Sequence, residues 1–175
     1  MTKKAWMAGF VGIVMAVGAA GLRAGEDPWA RFRFVLGYWE SDDPPEAGRG
    51  TFSLLPELSD AVLVRRNEAD IPAAQGRPPA HHEDLMVVYH VAGHPDEATY
   101  YDNEGHTIHY VVSPGVELDR LVLVSDVTTG APRFRLTYSK AGDDRLLVQF
   151  DIAPPGQPDA FAPYVSGHVK RTRPR

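Results

Sequence analysis

Ten short runs of β-favouring residues, each ended by turn chemistry, constrain this chain more tightly than any other feature. The runs are Gly37–Ser41, Arg49–Leu55, Ala61–Glu68, Glu83–Ala92, Glu97–Asp102, His106–Ser113, Arg120–Val127, Arg133–Ser139, Arg145–Ile152 and Pro163–Arg171. Between them lie Asp42-Asp43-Pro44-Pro45, Asn103-Glu104-Gly105, Thr129-Gly130-Ala131-Pro132 and Ala141-Gly142-Asp143-Asp144. Gly supplies positive φ, Pro fixes φ, and Asn or Asp bonds its own backbone, so each separator favours a turn. Alternation supports the strands. Leu146, Val148, Phe150 and Ile152 share one face of their run, and Phe134, Leu136 and Tyr138 oppose Arg133, Arg135, Thr137 and Ser139 in another. A period of two means one face buried.

Ten consecutive strands with short links must close or stack, because a long open sheet exposes two edges. Hairpin links favour an antiparallel up-and-down meander. Closed on itself, the meander is an all-β barrel of about ten strands with room inside for a small ligand; a two-sheet sandwich is the alternative. Ahead of the strands, Trp29, Phe32 and Leu36 recur at helical spacing. They predict a short helical turn whose aromatic residues plug one end of the sheet structure. Ile71 to Ala80, rich in proline, predicts a loop between the third and fourth strands.

The N-terminus has the three parts of a secretory signal: Lys3 and Lys4, an uncharged apolar stretch from Ala5 to Gly21, and Ala24 before the acidic Glu26 and Asp27. The expected domains are therefore a signal peptide over residues 1–24 and one barrel domain over 25–175, exported to the periplasm or the extracellular space. An N-terminal anchor is the alternative, at the short limit for spanning a bilayer. Lys3, Lys4 and Arg23 leave with the signal, so 15 basic residues face 23 acidic ones, a formal charge of −8 against −5 for the whole chain. That balance disfavours nucleic acid and, after cleavage, membrane as partners. With no cysteine, the domain has no disulfide, thiol nucleophile or thiolate metal site and must hold by core burial alone.

The opening FRFVLGYWE, Phe32 to Glu40, followed by ten strands in meander order, resembles the calycin group: lipocalins, fatty-acid-binding proteins and, most closely, the nitrobindin-like haem-binding barrels. Gly37-Tyr38-Trp39 matches the Gly-x-Trp of lipocalins. The last strand, YVSGHVKR, resembles the strand whose histidine binds haem iron in nitrobindin-like proteins, but Tyr164 stands where that histidine would be. The resemblance implies a calycin-like barrel and haem as a cofactor held by Tyr164, a residue type that can ligate ferric haem, or by His168 if the register slips. The body of the chain, including HHEDLMVVYH and YYDNEGHTIHY, looks like a family of uncharacterised exported bacterial proteins, which implies no activity.

Candidate chemistry concentrates in mid-chain. His82 and Asp84 share a strand face, and His106 shares one with Ile108 and Tyr110; imidazole and carboxylate together suit a divalent metal, making His82, Asp84 and His106 the metal candidates. With Asp102 they are also the acid–base candidates for an enzyme. The plainer reading makes Asp102-Asn103-Glu104-Gly105 a tight turn and leaves His106 satisfying local bonds. Arg133 and Arg135 share a face: inward they would hold a ligand carboxylate, outward they would pair with acids such as Asp126 or Asp151, and the apolar opposite face favours outward. No serine-hydrolase motif and no phosphate-binding glycine loop occurs. The leading expectation is a barrel that binds a small apolar or amphipathic molecule, with Tyr101, His106, Arg135, Tyr138 and Tyr164 as ligand contacts; a haem protein, an enzyme and a solidly packed interaction domain are the alternatives.

Overall fold

The computed structural model describes residues 27–73, 78–113 and 118–174. The chain divides into two compact units, Met1–Ala30 and Arg31–Arg175. The expected signal segment lies outside the described residues.

Ten strands follow one another: β1 (Gly37–Ser41), β2 (Arg49–Glu57), β3 (Val62–Ile71), β4 (Ala80–Tyr89), β5 (Glu97–Asp102), β6 (Thr107–Val112), β7 (Arg120–Ser125), β8 (Arg133–Lys140), β9 (Arg145–Ala153) and β10 (Ala162–Thr172). Each pairs antiparallel with its neighbours in sequence, and β1 pairs with β10, Trp39 opposite Arg171, to close an up-and-down barrel. Closure removes both free edges, as the sequence requires. Among the described residues, the only helical elements are 3-10 turns at Ala30–Phe32 and Pro45–Ala47.

Cross-strand register fixes which side chains point inward. One inward row runs Trp39, Phe52, Asn67, Asp84 and Asp102; the next runs Leu54, Arg65, Met86, Tyr100 and Ile108. On the far wall, Leu121, Tyr138, Val148 and Gly167 form another.

One end of the barrel, here the lower end, holds the start of β1 and the end of β10. The segment after Arg31 closes it. Phe32 and Val35 are fully buried, the Trp39 indole N–H donates to the Val35 carbonyl (2.9 Å), and Arg171 donates to the Leu36 carbonyl (2.7 Å) while its guanidinium lies 4.3 Å from the Trp39 ring centre. Arg31 donates to the Ser113 carbonyl, just beyond β6. Of the aromatic plug expected from the sequence, Phe32 is buried here.

Above the plug the interior is filled. Leu54, Leu63, Met86, Val88, Leu121, Leu123 and Leu146 are all but inaccessible. The Phe52 ring stacks on Trp39 at 6.1 Å and meets Tyr138 at 5.8 Å, joining β2 to β8 across a gap that β1, β10 and β9 go round. Each such side chain removed from water stabilises the fold by roughly 1.5–3 kcal/mol.

The upper end is different. There, inward-facing Asn67, His82, Tyr100, Phe134, Val148, Phe150 and Ile152 all keep part of their surface accessible, and inward-facing Val165 is 57% exposed. A side chain that points into a barrel and still meets solvent lies toward its mouth. The inward side chains thus pass from inaccessible at the lower end to partly accessible at the upper end.

Candidate functional site

The accessible half has two unlike walls. Phe134 and Phe150, inward from β8 and β9, stack at 5.7 Å, and Tyr164 sets its ring edge-on to Phe150 at 6.3 Å. Tyr164 reaches that place because β10 bulges between Pro163 and Val165, which takes it out of the strand pairing. A bulge adds a residue to one strand and re-aims its side chain.

The opposite wall, from β3, β4 and β5, is polar. Arg65 forms an ion pair with Asp84, and both are buried. The Asn67 amide donates to the second Asp84 oxygen (3.0 Å), which His82 Nε2 also approaches (3.3 Å). His82 Nδ1 faces Glu104 (3.1 Å). The Tyr100 hydroxyl lies 3.2 Å from His82 Nε2 and donates to Asp102 Oδ2 (3.3 Å), which also meets His106 Nδ1 (2.8 Å). One chain of polar contacts thus runs Arg65, Asp84, His82, Tyr100, Asp102, His106.

The hairpin between β5 and β6 holds the outer part of this chain in place. Asp102 Oδ1 accepts the backbone N–H groups of Glu104 (3.0 Å) and His106 (2.8 Å), and Gly105 supplies the positive φ (+91°) that the turn needs. Asn103 fastens the hairpin to β4: its side chain accepts from the Glu83 N–H and donates to the His81 carbonyl, both at 3.1 Å.

The network sets the charge states. Burial works against the Asp84 carboxylate, but Arg65 and His82 outweigh it and hold its pKa below the usual range. Contact with Asp84 raises the His82 pKa above 6.5 against the pull of burial, and Glu104 adds to the rise. Asp102 is likewise lowered, the His106 backbone and ring overcoming burial. Burial pushes the Tyr100, Tyr110 and Tyr138 phenols well up, so they stay protonated hydrogen-bonding groups. A histidine between a carboxylate and a phenol can bind a polar group or move a proton.

Among the described residues, no three His, Asp or Glu side chains are grouped to hold a metal ion; His106 sits on Asp102, and His82 on Asp84 and Glu104. Tyr138 faces inward, fully buried at the base of the accessible half. Tyr164 lies at the mouth, 66% exposed. Tyr101 and Arg135 stand on the outer face. Arg135 pairs there with the buried Asp151 (2.9 Å), and its guanidinium lies 4.4 Å from the Phe161 ring centre. His168 also faces out, its N–H donating to Asp43 (2.8 Å). Tyr101 borders an open groove of about 770 Å³ outside the barrel, shared with Tyr38, Arg66 and Leu85. Within the barrel the Arg65–Asp84 pair is buried, whereas Tyr101 beside that groove is 48% exposed. Arg65 and Asn67 went unnoticed in the sequence because only register, not spacing, brings them to Asp84.

No known protein-family profile matches this sequence, and no curated protein matches it significantly.

Proposed function

We propose that this protein is an exported, calycin-like barrel that binds a small amphipathic molecule in the upper half of its interior. One observation carries the reading: inward-facing side chains from Asn67 to Val165 remain accessible to solvent above a filled lower half. The apolar part of the ligand lies against Phe134, Phe150 and Val165, and its polar end meets the wall of Tyr100, His82 and Asp84. A mostly apolar concavity with a few convergent polar groups is the usual form of a small-molecule site. The Gly37-Tyr38-Trp39 opening and the meander order support the calycin-like assignment, and Lys3, Lys4 and the apolar stretch to Gly21 support export.

Fluorescence titration with anilinonaphthalene sulfonate tests the binding. The expected result is saturable, micromolar binding that Val165→Trp abolishes at unchanged Tm, because the added ring occupies accessible space. Binding that survives Val165→Trp contradicts the site.

A second reading has its own observation. His82 lies within 3.3 Å of Asp84 and 3.2 Å of Tyr100, as acid–base catalysis requires. On this reading the bound molecule is a substrate and His82 exchanges its proton. Turnover in a hydrolase screen that His82→Gln removes, with probe affinity retained, would establish it.

A further inference from the structure

The open groove of about 770 Å³ that Tyr101 borders crosses the outer face of β1 to β5, and the interior site makes no use of it. Its lining takes residues 38–40, 51–53, 66–68, 83–85 and 101–103, one triplet from each strand in turn, with Asn103 just past the end of β5. The triplets are in register: Tyr38 faces Ser53, Ser53 faces Arg66, Arg66 faces Leu85 and Leu85 faces Tyr101. The groove therefore runs across the strands, and four strand spacings put about 19 Å between its two tyrosines. Thr172 and Arg173 flank the Tyr38 end.

The side chains define what can lie there. Half-buried Tyr38 and exposed Tyr101 offer ring faces at the two ends, and Thr51, Ser53, Arg66 and Glu68 offer hydroxyl, guanidinium and carboxylate groups between them. Among the described residues, the Arg66 and Glu68 side chains have no partner, so donors and acceptors are both left over. Glu68 also stands directly opposite Glu83, an unfavourable like-charge pair that a ligand donating to both carboxylates relieves.

Other occupants fit less well. Arg66 and Glu68 cancel in charge, and the whole chain carries −5, which works against a polyanion. An apolar chain would take water from both groups without pairing either. A peptide added as a strand needs a free sheet edge, and the closed barrel offers none.

We infer that this groove binds a short, uncharged oligosaccharide laid across the strands. Its sugar rings set their C–H faces on Tyr38 and Tyr101, whose side chains are apolar in body and polar at the tip. Each sugar hydroxyl can donate and accept, so one ligand serves Arg66, which only donates, and Glu68 and Glu83, which only accept. The site is separate from the interior and stands whether or not the interior binds.

The test is calorimetric titration of the full chain with cellohexaose, mannohexaose, xylohexaose and chitohexaose. At least one should bind with a Kd below about 1 mM. Tyr101→Ala and Arg66→Ala should each weaken that binding by at least about tenfold. Both side chains are exposed, so Tm should hold. Raising the salt concentration should leave the affinity unchanged, because the ligand carries no charge to screen. Val165→Trp, at the barrel mouth, should also leave it unchanged. Failure of all four sugars to bind overturns the proposal, and so does binding that survives both Tyr101→Ala and Arg66→Ala. Sugar binding lost in Val165→Trp overturns it too, by placing the sugar inside the barrel. Heparin binding in place of these sugars, lost at high salt, would make the groove an anion site instead.

Discussion

The two halves of the barrel interior are built from the same ten strands with the same alternation, yet they solve different problems. Below, Leu54, Leu63, Met86, Val88, Leu121 and Leu123 fill the space with apolar contacts that Phe32 and Val35 seal from beneath. Above, the inward positions carry Asn67, His82, Asp84, Tyr100 and Asp102 on one wall and Phe134, Phe150 and Val165 on the other, and many of them stay accessible. The lower half contributes stability by packing. The upper half places charge and polarity where the barrel would otherwise gain more from apolar side chains, which points to use rather than support.

The sharpest way to break this contrast lies at the ion pair on its boundary. Asp84→Leu leaves Arg65 buried without its partner and should destabilise the protein by about 3–5 kcal/mol, whereas Arg65→Met combined with Asp84→Leu should be neutral or stabilising. Chemical denaturation of the three proteins decides it; a double variant as unstable as the single one would make the pair structural. Next, Leu63→Ala in the filled half should cost about 2–5 kcal/mol, against less than about 0.5 kcal/mol for Val165→Ala in the accessible half, which lacks close packing to lose. Equal losses would erase the distinction.

Acidity gives a smaller effect with a definite sign. Asp84 has a lowered pKa in the fold, so its contribution is present above the ordinary carboxylate pKa and fades as pH falls through the folded value. His82 has a raised pKa, facing Asp84, Glu104 and Tyr100. Its contribution is full below the ordinary histidine value and is lost as pH rises through the folded one. Melting temperature should therefore be highest between the two and decline on either side, and His82→Gln should flatten only the alkaline decline. The smallest expected change is at the β2–β3 turn, where Leu58, Ser59 and Asp60 all take positive φ (53°, 57° and 65°). Side chains disfavour that region, so Leu58→Gly should raise stability by about 0.5–1 kcal/mol, with no effect on probe binding at the other end.

The same contrast explains what could be read from the sequence. All ten strands and their order were legible, because turn residues and a period of two mark them. The ends of β3 and β4 were not: β3 runs on to Ile71 and β4 begins at Ala80, each three residues beyond the apolar pattern. Those extra residues border the polar wall, where Ala69 and His82 point inward and the apolar signal vanishes. The turn chemistry of Asp102 and Gly105 was readable for the same local reasons that form it. The meeting of Arg65 and Asn67 with Asp84 was not, since it depends on a register set by the whole sheet. On the outer face, the pairing of Arg135 with Asp151 is the outward alternative read from the sequence; the burial of Asp151 beside Gln149 and Phe161 was not legible, because alternation along one strand does not encode it.

A crystal structure with ordered solvent would test the divided interior most directly. The account predicts water or ligand density among Tyr100, His82, Phe150 and Val165, and dry side-chain contact from Tyr138 down to Phe32. Side chains packed without interruption from the plug to the mouth would contradict it.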